Sequence, residues 1–201
     1  MESSDASQPL ARDVKSLDDR ELLAAIVDRQ PAAIAELYDR YCGMLQALSQ
    51  RILGNGSDAE DVLQEAFLQV WNQAGRYDPK RSSVSTWLVL ITRSRSIDRL
   101  RSRQVQQRTA TAALQEKSVV HTSPKGVGNV LLQERRQRLQ QEMRNLPDEQ
   151  RQVLEMAFFE GMTQSEISTR AGIPLGTVKT RTLLAMKKLR KALRDEIEEL
   201  L

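Results

Sequence analysis

Apolar residues recur every three or four positions along most of this chain, which is the spacing of helices that bury one face. In the first half the pattern occupies four stretches, at 18–27, 34–52, 57–71 and 84–103. Clusters of glycine, proline and small polar residues separate several of these stretches. Such residues interrupt regular hydrogen bonding, so the clusters mark boundaries between helices. We therefore predict one helical domain that spans residues 18–102.

The helical spacing returns from about residue 132 and predicts a second domain at 134–201. Within it, Leu146-Pro147 marks the start of a new helix, since proline is favoured in the first turn and acidic residues follow it. The apolar residues that this spacing assigns to the inner faces are Leu139, Met143, Leu146, Val153, Leu154, Ala157 and Phe158.

The segment after residue 160 has the pattern of two helices joined by a tight turn. Gly161 is expected to end the preceding helix, and Thr163 and Glu166 have the spacing of a capping box that opens the next one. Gly172 gives the backbone freedom that a turn needs, and Pro174 keeps its predecessor out of the helical region. Together these residues predict a helix-turn-helix.

The second helix of this motif is predicted to begin near Gly176, with Val178 on its inner face and polar side chains in its first turn. Seven Lys or Arg and no acidic residue lie between 177 and 194. Alone, such a block also suits a solvated helix with cations near its C-terminus. After a capped helix and a turn, it favours DNA binding in the major groove. The exposed residues of the first turn are Lys179, Thr180 and Arg181.

Three further patterns complete the prediction of the fold. Residues 1–17 are polar and typical of a disordered leader. Residues 103–133 lack an apolar period, contain Pro and Gly, and are typical of a flexible linker. Ser57 and Glu60 are expected to form another capping box. The fold class is thus predicted as all-α, with two small helical domains joined by a flexible linker and a helix-turn-helix in the second.

The composition agrees with this fold class and excludes several functions. Of 201 residues, 40% are hydrophobic and 4% aromatic, which suits two small helical domains better than a sheet. The single cysteine, Cys42, is expected in the core and the single histidine, His121, in a loop, so we expect no metal site and no cofactor. With no signal peptide and no long apolar run, the protein is expected to be cytoplasmic without membrane insertion.

Charge divides the first domain into an acidic and a basic part. The helix at 58–71 carries four acidic residues and no basic one, whereas residues 76–108 hold nine Lys or Arg against two Asp. One interpretation is intramolecular ion pairing. The alternative is two partners, a basic protein for the acidic face and nucleic-acid phosphates for the basic loop and helix.

These motifs resemble those of a known family. DAEDVLQEAF at 58–67, STWL at 85–88 and RSRSIDRLR at 93–101 are similar to the first conserved domain of bacterial sigma factors of the extracytoplasmic-function (ECF) group. Residues 146–193 are similar to their second conserved domain. The resemblance implies a subunit that binds core RNA polymerase, directs it to a promoter and opens the DNA, and that is not an enzyme.

The resemblance also implies which residues contact each partner. The acidic helix would dock on the coiled-coil clamp of the polymerase through Asp58, Asp61, Gln64 and Glu65. A single-stranded minus-ten element would be bound by Lys80, Arg81, Ser82, Ser83, Arg93, Ser94 and Arg95. A duplex minus-thirty-five element would be contacted by Thr177, Lys179, Thr180, Arg181, Leu184, Lys187 and Lys188.

Several apolar residues near these surfaces are expected to be structural. Phe67, Val70 and Trp71 are assigned to the core, and so is Trp87, whose alternative is a platform on which bases stack. Of the neighbouring pair Leu183 and Leu184, one is expected to face the core.

Two other function classes compete with the sigma factor. A helix-turn-helix regulator that binds duplex operators by itself has no need of the acidic helix or of the motifs at 85–101. An enzyme would need an activated nucleophile or a phosphate loop, and the sequence contains neither motif. The family resemblance further implies that an anti-sigma factor controls the chain, and that the linker, a flexible tether by composition, threads through the polymerase.

Overall fold

The computed structural model describes residues 13–111 and 130–193, with side chains over 13–106 and 137–193, and these ranges contain helices and turns without strands. Residues 1–12 of the predicted leader at 1–17, residues 112–129 of the predicted linker at 103–133, with His121, and residues 194–201 lie outside the described residues. Residues 103–111 and 130–133 of that linker are helical. The α-helices of the described ranges are α1 (Asp19–Val27), α2 (Pro31–Leu53), α3 (Gly56–Gln73), α4 (Val84–Thr111), α5 (Val130–Arg144), α6 (Asp148–Phe158), α7 (Gln164–Ala171) and α8 (Leu175–Ala192).

Helices α1 to α4 form the first domain, with α2 packed against the other three. Its core is built from leucine, isoleucine and valine at helical spacing, with Phe67 and Val70 buried as predicted. Trp71 and Trp87 are partly buried and pack against this core, which confirms their structural assignment. Val14, in a short 3-10 helix at Val14–Ser16, also packs there, so the folded domain begins before the predicted boundary at 18.

The start of α3 differs from the prediction. Asn55 has an extended backbone and caps the helix, its side-chain oxygen accepting a hydrogen bond of 3.0 Å from the Ser57 amide. The helix therefore begins at Gly56, and the predicted capping box of Ser57 with Glu60 is wrong. Asn55 takes the cap because Gly54, with a φ of 66°, ends α2 in the left-handed region and leaves Asn55 as the first extended residue.

The second domain is smaller, and its core consists of Val153, Met156, Ile167 and Val178. Leu146 is buried as predicted, whereas Leu139 and Phe158 are exposed and their core assignment is wrong. Val153 and Met156, three residues apart, set the inner face of α6, and this turns Phe158 toward the first domain.

The helix-turn-helix is confirmed at α7 and α8. The Thr163 hydroxyl accepts a hydrogen bond of 3.2 Å from the Glu166 amide, and the Glu166 carboxylate accepts one of 2.6 Å from the Thr163 amide. The second bond holds the pKa of Glu166 below its ordinary value. Gly172 has a φ of 64° and joins α7 to α8, which begins at Leu175 after Pro174.

Candidate DNA and polymerase interfaces

Helix α8 buries one side against α6 and α7 and exposes the other. Val178 and Ala185 are fully buried, seven residues apart and therefore on one face. We call the opposite side the α8 outer face, and its residues are Lys179, Thr180, Leu183, Leu184, Lys187 and Lys188. The three lysines of this face make no hydrogen bond or ion pair within the part of the chain that the structure describes, and no acidic residue lies among them.

The exposure of the two leucines of this face differs from the sequence-based expectation. Leu183 is 69% exposed and Leu184 is 42% exposed, so the expectation that one of them faces the core is wrong. The small Ala185 occupies the buried position instead, which lets α8 approach α6 closely. Alanine is a weak apolar signal beside Leu184 and Met186. Only the seven-residue spacing from Val178 identifies Ala185 as a buried position.

Arg181 and Thr177 lie at the edge of the α8 outer face. The Arg181 guanidinium donates a hydrogen bond of 2.5 Å to the Glu149 carboxylate in the first turn of α6, and its side chain is 24% exposed. Thr177 is half-buried, and the Thr180 hydroxyl donates to the Gly176 carbonyl at 2.9 Å. Arg181 therefore ties α8 to α6, which the sequence analysis did not anticipate.

The loop between α3 and α4 presents two of the predicted minus-ten residues. Asp78 accepts a hydrogen bond of 2.9 Å from the Lys80 amide, and the Tyr77 hydroxyl donates to the Ser82 carbonyl at 2.9 Å. Ser83 caps α4 by accepting from the Thr86 amide at 3.3 Å. These bonds hold the backbone of the loop and leave Lys80 and Arg81 exposed.

The other predicted minus-ten residues lie on α4 and have different surroundings. Ser94 is exposed and Arg95 donates to Gln69 at 2.9 Å. Arg93 instead donates to backbone carbonyls at the end of α6, in the second domain. Burial lowers the pKa of Arg93, and the nearby charge of Arg101 lowers it further. The seven predicted residues thus lie on the loop before α4 and on α4 itself, and Arg93 is partly buried against the second domain.

Helices α3 and α4 are joined by a row of ion pairs, which we call the α3–α4 ladder. Its pairs are Arg103–Asp58 at 2.6 Å, Arg99–Asp61 at 3.1 Å, Arg99–Glu65 at 3.7 Å and Arg95–Glu65 at 3.9 Å. The interpretation of intramolecular ion pairing is therefore confirmed for three of the predicted polymerase-binding residues. The fourth, Gln64, is exposed.

The ladder leaves its carboxylates accessible. The side chains of Asp61 and Glu65 are 56% and 48% exposed, whereas that of Asp58 is 21% exposed. Exposed ion pairs contribute about 0.2–1 kcal/mol each, because water screens them. A cationic partner can therefore compete for Asp61 and Glu65 at a small cost to the fold.

Within the described ranges, none of the helices has the length and apolarity to cross a membrane. The same part of the chain brings together no three His, Cys, Asp or Glu side chains as a metal site would need. Its surfaces are a cationic helix face, a basic loop and an acidic helix. Two helical domains with these surfaces, one carrying a helix-turn-helix, define a DNA-binding protein of transcription.

Comparison with known proteins agrees with this class. The model of Sigma-70 region 2 matches residues 37–105, and the model of Sigma-70, region 4 matches residues 143–191. The ECF RNA polymerase sigma factor SigK of Mycobacterium sp. (strain KMS) is 31% identical over 190 residues, which cover 93% of this chain and 96% of that protein. The ECF RNA polymerase sigma factor RpoE of Cereibacter sphaeroides is 34% identical over 172 residues, 85% of this chain and 92% of that protein.

Among solved structures, Rhodobacter sphaeroides SigE in complex with the anti-sigma ChrR is 30% identical and covers 88% of this chain and 98% of that one, with a TM-score of 0.45. The chain belongs to the extracytoplasmic-function sigma factors of the sigma-70 family.

Proposed function

We propose that this chain binds core RNA polymerase, directs it to specific promoters and helps to open the DNA, without being an enzyme itself. The observation that carries the proposal is the presence of both sigma-70 regions in one chain, each with a charged surface of its own. A stand-alone helix-turn-helix regulator would need only the second domain. The acidic side of α3 is what such a regulator lacks.

The proposed polymerase contact is the exposed side of α3. Asp61 and Glu65 are about half exposed, and Gln64 lies beside them. Complementary charge speeds association and favours the correct partner, which suits a subunit that must find the polymerase. Asp58, which is less exposed, supports this surface by fixing Arg103 at the end of the α3–α4 ladder.

The proposed minus-ten contact is the loop after α3 together with the start of α4. Lys80 and Arg81 are exposed on a backbone held by internal hydrogen bonds, so they are available to a phosphate chain. Ser82 and Ser83 follow them in the same loop, and Ser94 and Arg95 lie on α4. A single strand is bound by cations that follow its backbone and by pockets for unstacked bases. Trp87 is partly buried against the core and is not included in this contact.

The proposed minus-thirty-five contact is the α8 outer face. Lys179, Lys187 and Lys188 make no ion pair with any other residue that the structure describes, which suits contacts with phosphates and base edges. Leu183 and Leu184 lie between these lysines. A leucine side chain cannot hydrogen-bond to a phosphate, so its partner on the DNA must be an apolar group. In the major groove the apolar group that a base presents is the thymine methyl group. We therefore assign Leu183 and Leu184 to contacts with thymine methyl groups.

This assignment is tested by replacing thymine with uracil, which removes only the methyl group. Duplexes would carry the upstream element found by mapping transcript starts, and would be bound by the chain together with core polymerase. Uracil at a contacted position should weaken binding by roughly 3- to 10-fold, the value of one lost apolar contact. Leu184→Ala and Leu183→Ala should each lose sensitivity to uracil at one position.

Lys179→Ala is the matched control, because it removes a cation from the same face and leaves both leucines. Its binding should be weaker on every duplex while its sensitivity to uracil is unchanged. Equal binding of thymine and uracil duplexes by the unsubstituted chain would contradict the assignment to methyl groups.

An anti-sigma protein is the remaining proposed partner. The proposal rests on Rhodobacter sphaeroides SigE, which is 30% identical to this chain and was solved in complex with the anti-sigma ChrR. Such a protein would hold this chain away from polymerase until it is released.

A further inference from the structure

Arg29 lies in the turn after α1 and has a left-handed backbone, with a φ of 61°. It is the one residue other than glycine with a positive φ in the part of the chain that the structure describes. Its amide donates to the Ile26 carbonyl, and the Gln30 amide donates to the Ala25 carbonyl, both at 3.0 Å. Glycine is the usual residue at such a helix end, because a Cβ atom disfavours the conformation. The strain of an arginine here must be offset by contacts of its side chain.

The Arg29 side chain makes such contacts at the end of α3. Its guanidinium donates a hydrogen bond of 3.1 Å to the Trp71 carbonyl and lies 5.3 Å from the centre of the Trp71 ring. Trp71 belongs to the last turn of α3, where backbone carbonyls lack partners within the helix and carry partial negative charge. Since α3 has no basic residue in that turn, the turn after α1 supplies the cation. A planar guanidinium can donate to the carbonyl and lie over the ring together.

The end of α3 leads directly into the loop of the proposed minus-ten contact. A short 3-10 helix at Ala74–Arg76 follows α3, and a Cβ placed on Gly75 would lie 3.9 Å from the Val27 side chain of α1. Tyr77 comes next and packs on Trp87 of α4, with ring centres 5.6 Å apart. The start of the loop is therefore held by residues of α1 and its turn, and Tyr77 is held by α4.

Lys80 and Arg81 belong to a loop that is closed on itself. The Tyr77 hydroxyl donates to the Ser82 carbonyl at 2.9 Å, which joins the two sides of the loop across these cations. A displacement of the end of α3 would therefore move the closed loop, and both cations with it. Their position determines which phosphates of a single strand they reach.

We propose that Arg29 is a positioning residue for the minus-ten contact, because it fixes the end of α3 and thereby the loop that presents Lys80 and Arg81. The inference rests on the proposed function, which gives this loop its role. The turn after α1 then contributes to promoter use, although no residue of α1 or of this turn is proposed to touch a partner. This role accounts for an arginine at a position whose backbone favours glycine.

The test compares two substitutions that both remove the guanidinium and differ in backbone strain. Arg29→Gly suits a φ of 61°, whereas Arg29→Ala retains the strain, so the glycine variant should unfold at a higher urea concentration. Both should weaken, by the same factor, the binding of core polymerase with this chain to DNA whose minus-ten element is already unpaired. The expected factor is roughly threefold to tenfold, about the value of one hydrogen bond. A residue with only a structural role would change stability and binding together.

Two further variants complete the comparison. Arg29→Lys keeps the charge without the planar fork and should recover little of the lost binding. Arg20→Ala removes an exposed arginine of α1 and is the matched control, which should change neither stability nor binding. Unchanged binding in Arg29→Ala, or full recovery in Arg29→Lys, would overturn the proposal.

A double-mutant cycle tests whether Arg29 acts through the loop. In a chain that already carries Lys80→Ala and Arg81→Ala, Arg29→Ala should have little further effect on binding to the unpaired element. Fully additive effects would mean that Arg29 contacts the DNA itself, and the positioning role would be wrong.

Hydrogen exchange in the free chain tests the same inference without polymerase or DNA. The Tyr77 amide donates to the Ala74 carbonyl at 3.1 Å, so its exchange reports on the start of the loop. Arg29→Ala and Arg29→Gly should both speed exchange over residues 74–82 roughly fivefold, as expected for one lost hydrogen bond. Unchanged exchange there would overturn the inference. Failure of the unsubstituted chain with polymerase to bind the unpaired element would instead contradict the proposed function, while exchange would still decide whether Arg29 holds the loop.

Discussion

At the residue scale, two glycines of the helix-turn-helix both have open space around them but differ in backbone conformation. Gly172 has a φ of 64°, whereas Gly176 lies in the first turn of α8, and neither has an atom within 4 Å of a Cβ placed on it. An alanine side chain therefore meets no steric obstacle at either position. Any difference between the two substitutions must come from the backbone alone.

Gly172→Ala should destabilise the second domain by about 1–2 kcal/mol, the cost of a left-handed conformation for a residue with a Cβ. Gly176→Ala should stabilise it by about 0.5–1 kcal/mol, because alanine loses less conformational entropy in a helix. Urea unfolding followed by circular dichroism measures both changes. Both tryptophans, Trp71 and Trp87, lie in the first domain, so their fluorescence is an internal control that should not move. A destabilising Gly176→Ala would contradict this account.

The same scale shows which local features the sequence predicts and which it does not. The capping box of Thr163 with Glu166 is predicted and found, because its residues alone determine those hydrogen bonds. The same pattern fails at Ser57, since Asn55 is also a good cap and comes first in the chain. Arg181 illustrates another limit, because its partner Glu149 is distant in sequence.

At the scale of elements, the acids of α3 pair with arginines of α4 and are also the proposed polymerase contact. An experiment can separate these two roles. Asp61→Arg places a cation beside Arg99 and should destabilise the first domain by up to about 1 kcal/mol. The swap Asp61→Arg with Arg99→Asp restores an ion pair and should recover that stability. Both variants should bind core polymerase weakly, because each presents the wrong charge to it.

Thermal unfolding and retention on immobilised core polymerase measure the two effects independently. If the swap recovered polymerase binding together with stability, Asp61 would act only through the fold of the first domain. The proposed contact on α3 would then be wrong at this residue.

Apolar periodicity predicts the positions of the helices well. It predicts less well which side chains each helix buries. Val153 and Val178 are buried as the spacing predicts, whereas Phe158 is exposed although the same spacing assigns it to the core. A residue at the edge of an apolar stripe can be buried or exposed, and its packing against the neighbouring helix determines which. Phe158 turns toward Arg93, a contact that helical period cannot reveal.

At the scale of the whole molecule, charge and motifs predict two domains and the partners of each, and the family match agrees. The contacts between the two domains are not predictable in this way. They depend on carbonyl groups at the end of α6, which accept from Arg93, and on the close approach of Gly161 to Ile97, neither of which leaves a sequence pattern.

The measurement that tests the central claim most directly is transcription in vitro, with core RNA polymerase, this chain and a fragmented genomic template, followed by mapping of transcript starts. We predict starts that appear only in the presence of the chain and share two upstream elements, one for each domain. An absence of chain-dependent starts, together with tight binding of the chain to duplex DNA without polymerase, would contradict the sigma factor function and favour a stand-alone regulator.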